Sequence, residues 1–121
     1  MDPEIKAKWV AALRSGEYKQ GQNFLNKGDQ FCCLGVLCDI TKEETGGYWQ
    51  DSGMIGGVFS FVYQNSADAR RLPQNLSQRL GLYGSLITTD EGGMTFEALN
   101  DGIKSRSYTF LEIADAIEEQ L

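Results

Sequence analysis

Histidine is absent from this chain of 121 residues. With it go the Ser-His and Cys-His pairs of nucleophilic catalysis, and most zinc and non-haem iron sites, which lean on imidazole. Cysteine is confined to Cys32, Cys33 and Cys38. An odd, clustered set with two adjacent members is no disulfide framework, because neighbouring cysteines pair only under strain. The three read as reduced thiols in a cytoplasm. No apolar run approaches the roughly 20 residues of a membrane span. The start, Met1-Asp2-Pro3-Glu4-Ile5, is acidic and lacks the apolar core of a secretory signal. Repeats, linkers and low-complexity tracts are missing. So are the phosphate-loop patterns Gly-x-Gly-x-x-Gly and Gly-x4-Gly-Lys-Ser/Thr, although glycine itself numbers 14.

Positive charge is also in short supply. Eleven Lys and Arg face 17 Asp and Glu, a net charge of -6. A duplex nucleic acid binder carries the opposite footprint, so neither duplex DNA nor duplex RNA is expected as a partner. A small anionic ligand is compatible with this balance, because a pocket needs only a few local cations and backbone N–H groups. So is docking onto the basic surface of another protein.

What is present is enough for one core. Hydrophobic residues make up 41% of the chain, which suits a single domain over residues 1–121. Asp2 as N-cap, Pro3 in the first turn and Glu4 at the positive helix end predict a first helix, with Ile5, Trp9, Val10 and Leu13 on one face and a stop at Ser15-Gly16. Phe24-Leu25 and Gln30-Phe31 predict a hairpin about a four-residue turn, Asn26 to Asp29. Cys32 to Ile40 is apolar nearly all round. Helix is favoured there because Leu34, Leu37, Cys38 and Thr41 align at helical spacing, with Asp39 pointing away and Gly35 permitting close packing.

Lys42 to Gly57 reads as loop. Val58 to Tyr63 reads as a strand whose aromatic face, Phe59, Phe61 and Tyr63, belongs to the core. Leu72-Pro73 opens a short helix carrying Leu76 and Leu80 and ending at Gly81. Leu86 to Thr89 and Met94 to Phe96 predict a second hairpin around Asp90 to Gly93, with Thr95 as an alternative helix cap running through Leu99. Thr109 with Glu112 forms a capping box for a last helix with the stripe Phe110, Ile113, Ala114, Ile117 and Leu121. The fold class that follows is α+β, a single small domain with one layer of short antiparallel strands and hairpins packed against several helices.

Chemistry is thinly marked. Cys32 or Cys33 at a helix start would gain nucleophilicity from the dipole, but no base is available, and small buried hydrophobes are the simpler account. Cys-Cys-x4-Cys matches no common zinc spacing and lacks a fourth soft ligand, so no metal and no cofactor are expected. The carboxylates Asp39, Asp101 and Asp90-Glu91 read first as solvated or turn residues rather than as acid–base pairs. The candidate ligand contacts are Tyr18, Lys19, Gln20, Gln22 and Asn23, which gather an aromatic ring, a cation and amides beside permissive Gly21. Trp49, with Tyr48 in a glycine-flanked loop, is a candidate for stacking. Arg70 and Arg71 before the Leu72-Pro73 helix start are candidates for an anion.

The stretches KWVAALRSGEYKQG at 8–21, FCCLGVLCD at 31–39, Leu72-Pro73, LND at 99–101 and TFLEIADAIE at 109–118 resemble a set of small proteins from bacteriophage and prophage genomes. The resemblance spans nearly the whole chain except about Lys42 to Asp68. It implies a phage accessory protein acting in the bacterial host cytoplasm, in the manner of counter-defence factors. Two actions are then expected in competition. One is a homo-oligomer that sequesters a nucleotide-derived immune signal, with Tyr18 to Asn23, Trp49 and Arg70 or Arg71 supplying stacking and phosphate contacts. The other is an acidic inhibitor that docks on a host defence protein, like many anti-CRISPR proteins. A thiol-dependent enzyme is the third.

Overall fold

The computed structural model describes residues 1–102 and 107–121. Among them the chain forms α1 (Pro3–Arg14), β1 (Lys19–Gln20), β2 (Asn26–Lys27), β3 (Gln30–Phe31), α2 (Cys33–Thr45), β4 (Tyr48–Asp51), β5 (Val58–Tyr63), β6 (Ser66–Asp68), α3 (Gln74–Arg79), β7 (Ile87–Thr89), β8 (Gly92–Met94), α4 (Phe96–Asp101) and α5 (Phe110–Gln120). The class is α+β, as the sequence implies.

The helix signals in the sequence are realised atom by atom. At the start of α1 the Asp2 carboxylate accepts from the N–H groups of Glu4, at 2.7 Å, and Ile5, at 3.3 Å, two donors that the helix leaves without internal partners. Trp9, Val10 and Leu13 are buried. The Trp9 indole N–H donates to the Cys33 carbonyl at 2.9 Å, which satisfies that ring's single polar atom inside the core. Both halves of the capping box form between Thr109 and Glu112, and Phe110, Ile113, Ala114 and Ile117 turn inward on α5. This helix packs along α1, and Arg14 closes the seam with Asp115 at 2.7 Å and Glu118 at 3.0 Å.

Beneath the helices runs a sheet in the order β1-β3-β2-β5-β4, with β6 also paired to β5. The β1–β3 pair is parallel, so the layer is not purely antiparallel as expected. Strands joined by a crossover through a loop, not a tight hairpin, are free to run the same way. The first hairpin is tighter than expected. Asn26 and Lys27 belong to β2, because they pair on one side with β3 and on the other with β5, and only Gly28 and Asp29 turn, with Gly28 at φ +61°. The second hairpin is likewise shortened: β7 and β8 pair Thr89 with Gly92. Thr95 takes its alternative role, capping α4 by accepting from the Ala98 N–H at 3.1 Å.

The largest departure is between Lys42 and Gly57. It is not a loop. Helix α2 continues to Thr45 and stops at Gly46, whose φ is +80°. Strand β4 follows, paired with β5 from Tyr48↔Val62 to Asp51↔Phe59. Its half-exposed residues show little periodicity, and cross-strand pairing supplies what local pattern does not. Strand β5 itself is covered on both faces: Val58 and Val62 are buried as well as Phe61 and Tyr63, while Phe59 is only half-buried. That is the ordinary fate of a central strand.

Candidate functional site

The eight candidate residues fall into three settings. Tyr18 and Trp49 meet at Asp39. The Asp39 carboxylate accepts from the Tyr18 hydroxyl at 2.5 Å, the Lys42 ammonium at 2.7 Å and the Trp49 indole N–H at 3.0 Å. Asp39 therefore does not point away from the molecule, as helical spacing suggested; it is half-buried as the hub of three elements. Burial pushes its carboxyl up, but the bonds from Lys42, Tyr18 and Trp49 more than offset this and leave it below its ordinary value. Burial, then the bond to Asp39, pushes the Tyr18 phenol up.

Trp49 lies on β4 and not in a free loop, and it packs edge-on against Phe31 and Phe61 with ring centroids 6.0 and 5.0 Å away. Tyr18 meets Phe31 edge-on at 5.1 Å. The four rings form one ladder sealed to the core, so the role of Trp49 here is packing. Of the Tyr48-Trp49 pair, Tyr48 is the exposed member.

Gln20, Gln22 and Asn23 gather around the end of α4. Asn100 is wholly buried. Its side-chain oxygen accepts from the Cys33 N–H at 3.1 Å and from Gln20 Nε2 at 3.0 Å, and its amide donates to the Gly21 carbonyl at 2.7 Å and to Asp101. Gln20 also donates to the Tyr108 carbonyl at 2.8 Å and accepts from the Phe110 N–H at 3.0 Å. The amide of Gln22 donates to the Asn100 carbonyl and the backbone N–H of Asn23 to the Asp101 carboxylate. The amide-rich loop is thus a clasp that ties β1, the start of α2, α4 and the start of α5 together. Every polar atom of the Gln20 side chain is engaged by the chain itself. Lys19 stays exposed beside Asp29.

Arg70 and Arg71 follow Asp68, whose carboxylate accepts from both of their backbone N–H groups at 2.9 and 3.3 Å. Arg70 lies over the Phe24 ring, 4.9 Å from its centroid. Arg71 borders a cleft of about 350 Å³, toward the small end of ligand pockets. Leu34, Leu72, Leu82 and Phe96 are buried side chains of its lining, and Tyr83, Leu86, Gln74, Ser77 and Glu97 also line it. Tyr83 and Leu86 are 61% and 55% exposed, so this cleft has unspent apolar surface at its mouth. Of the eight candidates it holds Arg71 alone. Tyr83 was missed, although an aromatic residue between Gly81 and Gly84 carries the same signal that drew attention to Tyr48 and Trp49.

The thiols are buried and free. Cys32 Sγ accepts from the Gly35 N–H at 3.4 Å as the N-cap of α2. Burial pushes its thiol up to about 12, and pushes Cys33 and Cys38 well above the ordinary thiol value. Thiols so placed stay protonated near neutral pH and are poor nucleophiles. Among the described residues no cluster of three or more Cys, Asp or Glu side chains could hold a metal ion, and no helix is long and apolar enough to cross a membrane.

Over residues 1–121 the chain matches, and so belongs to, the family described as a domain of unknown function (DUF8296). No curated protein and no solved structure matches it.

Proposed function

We propose that this DUF8296 chain is a binding protein, and that it holds a small anionic, nucleotide-like ligand in the cleft bordered by Arg71, without cleaving it. The observation that carries this reading is the composition of the cleft. A buried apolar floor, Leu34, Leu72, Leu82 and Phe96, lies under an exposed aromatic ring, Tyr83, and a cation, Arg71. That combination suits a ligand with a planar face and a negative charge. The ion pairs among the described residues engage Lys8, Arg14, Lys19 and Lys42, which leaves the Arg71 guanidinium available. Glu97 offers acceptors for sugar hydroxyls or an exocyclic amine. The protonated thiols speak against a thiol-dependent enzyme.

The setting in this proposal is phage counter-defence in the cytoplasm of a bacterial host, and it rests on the sequence resemblance. The ligand would be a nucleotide-derived immune signal withheld from its effector. A second copy seated over Tyr83 and Leu86 would enclose it, which makes a symmetric homo-oligomer the natural working form.

The test is recovery of the ligand. The protein is mixed with lysate from bacteria whose nucleotide-signalling defence has been triggered, reisolated, heated, and its released small molecules analysed. An intact nucleotide, lost in Arg71→Gln, is the expected result. Altered nucleotide would mark an enzyme instead. A co-purifying host protein with no released nucleotide would replace the sponge with a docking inhibitor.

A further inference from the structure

Two cations converge on one aromatic ring of a chain that is acidic overall. Lys27 Nζ lies 5.7 Å and Arg70 Cζ 4.9 Å from the centroid of the half-buried Phe24 ring, and Arg71 is next in sequence. The Leu25 N–H donates to the Ala69 carbonyl at 2.7 Å, which holds the two segments together. The glycine loop closes on them from β5: the Gly28 N–H donates to the Gly57 carbonyl at 2.9 Å, and a Cβ on Gly56 would sit 3.2 Å from Lys27 Cε. Side chains of Lys27, Arg70 and Arg71 take no part in the ion pairs of the described residues. Of the carboxylates nearest in sequence, Asp68 spends one oxygen on the backbone N–H groups of Arg70 and Arg71, and Asp29, two residues after Lys27, lies 3.9 Å from Lys19 Nζ.

Like charges gathered on one ring repel each other, and a ring face compensates a cation only in part. An acidic chain with carboxylates to spare has left this group without one. Consecutive Cα atoms lie only about 3.8 Å apart, so the Arg70-Arg71 step joins this patch to the mouth of the cleft.

We infer that Lys27, Arg70 and Phe24 form a phosphate subsite continuous with the Arg71 cleft, and that the ligand class is a nucleotide bearing more than one phosphate. The base and sugar occupy the cleft, Arg71 takes the first phosphate and the patch takes those beyond it. The inference rests on the cleft reading for the base, but the patch is testable without it.

Calorimetric titration with AMP, ADP, ATP and inorganic tripolyphosphate separates the two. Affinity is expected to rise about tenfold from AMP to ADP and again to ATP, the usual worth of a charge-assisted phosphate contact. The double variant K27Q/R70Q, shown by its melting curve to be folded, is expected to lose that rise. Lys6→Gln, on α1, removes one positive charge against the double variant's two and is expected to keep it. A series that is flat in the natural protein, or a rise that survives in K27Q/R70Q, overturns the subsite and leaves the cleft reading standing. Tripolyphosphate bound through Lys27 and Arg70, with no dependence on a nucleoside, upholds the subsite and sinks the cleft reading. Binding of neither tripolyphosphate nor any nucleotide overturns both.

Discussion

A Cβ built on Gly35 would lie 1.8 Å from the carbonyl oxygen of Leu25. The first turn of α2 therefore rests on the backbone that leads into β2, and that same carbonyl accepts from the Cys32 N–H at 3.3 Å. No rotamer relieves such an overlap, since backbone meets backbone. Gly35→Ala is expected to cost about 3 kcal/mol or more despite the better helix propensity of alanine, read as a lowered urea midpoint. A variant as stable as the natural chain would show that the two segments separate freely.

Asn100 is the second structural keystone, and a polar one. Truncating it to alanine strands the Cys33 N–H, the Gly21 carbonyl and part of the Gln20 amide in the interior. The expected loss is about 2–4 kcal/mol, since buried groups left without partners cost more than the bond they made. A double-mutant cycle with Gln20→Ala should show strong coupling, with the pair losing less than the sum of the singles. Additive losses would mean that the clasp does not act as a unit.

Acid should loosen the hub at Asp39. Its carboxyl titrates below the ordinary value of 3.8, so the folded chain holds the charged form more tightly than the unfolded chain does. The resulting stability is complete above the unfolded value and drains away as pH falls through the folded one. Asp39→Asn keeps the shape and removes the charge. It is expected to cost about 1–3 kcal/mol at pH 7, because the hydrogen bonds from Lys42, Tyr18 and Trp49 lose their ionic character. The difference in melting temperature between the two proteins should shrink as pH falls below the unfolded value of 3.8 and on through the lower folded one. A gap that stays constant would assign the loss to shape and not to charge.

Helix ends and core stripes were legible in the sequence, because capping and periodicity are local physics. Asp2, Thr109 and Glu112 do what their types dictate, and Gly35 was placed correctly as a point of close approach. The strand β4 was not legible. Tyr48 to Asp51 alternates weakly and owes its conformation to β5, a partner that local pattern does not reveal. The surroundings of two candidate residues were hidden for a related reason. Gln20 and Trp49 have the chemistry of ligand contacts, but the fold folds their polar atoms inward onto Asn100 and Asp39. The cleft was invisible because its floor, from Leu34 to Phe96, is assembled from separate segments that each read as ordinary core.

The three thiols supply the last prediction, which separates a structural role from a reactive one. An unfolded thiol titrates near 9.0, and burial raises all three above this in the folded chain. Between the two values the folded state keeps a proton that the unfolded state has lost, so unfolding gains ground as pH rises. Each thiol should remove about 1.4 kcal/mol of stability per pH unit above pH 9, and the Tyr18 phenol should add to the slope above pH 10, since its titration is raised from 10.0. Cys38→Ala should lower stability at pH 7 through lost packing, by about 1 kcal/mol or somewhat more, yet flatten the alkaline decline by one thiol's share. At pH 8, where the folded state dominates, iodoacetamide should label all three cysteines only as fast as the chain unfolds, and urea beyond the midpoint should make labelling immediate. Fast labelling of a single cysteine in the folded protein would expose a thiolate that this packing does not allow, and would return Cys32 or Cys33 to consideration as a nucleophile.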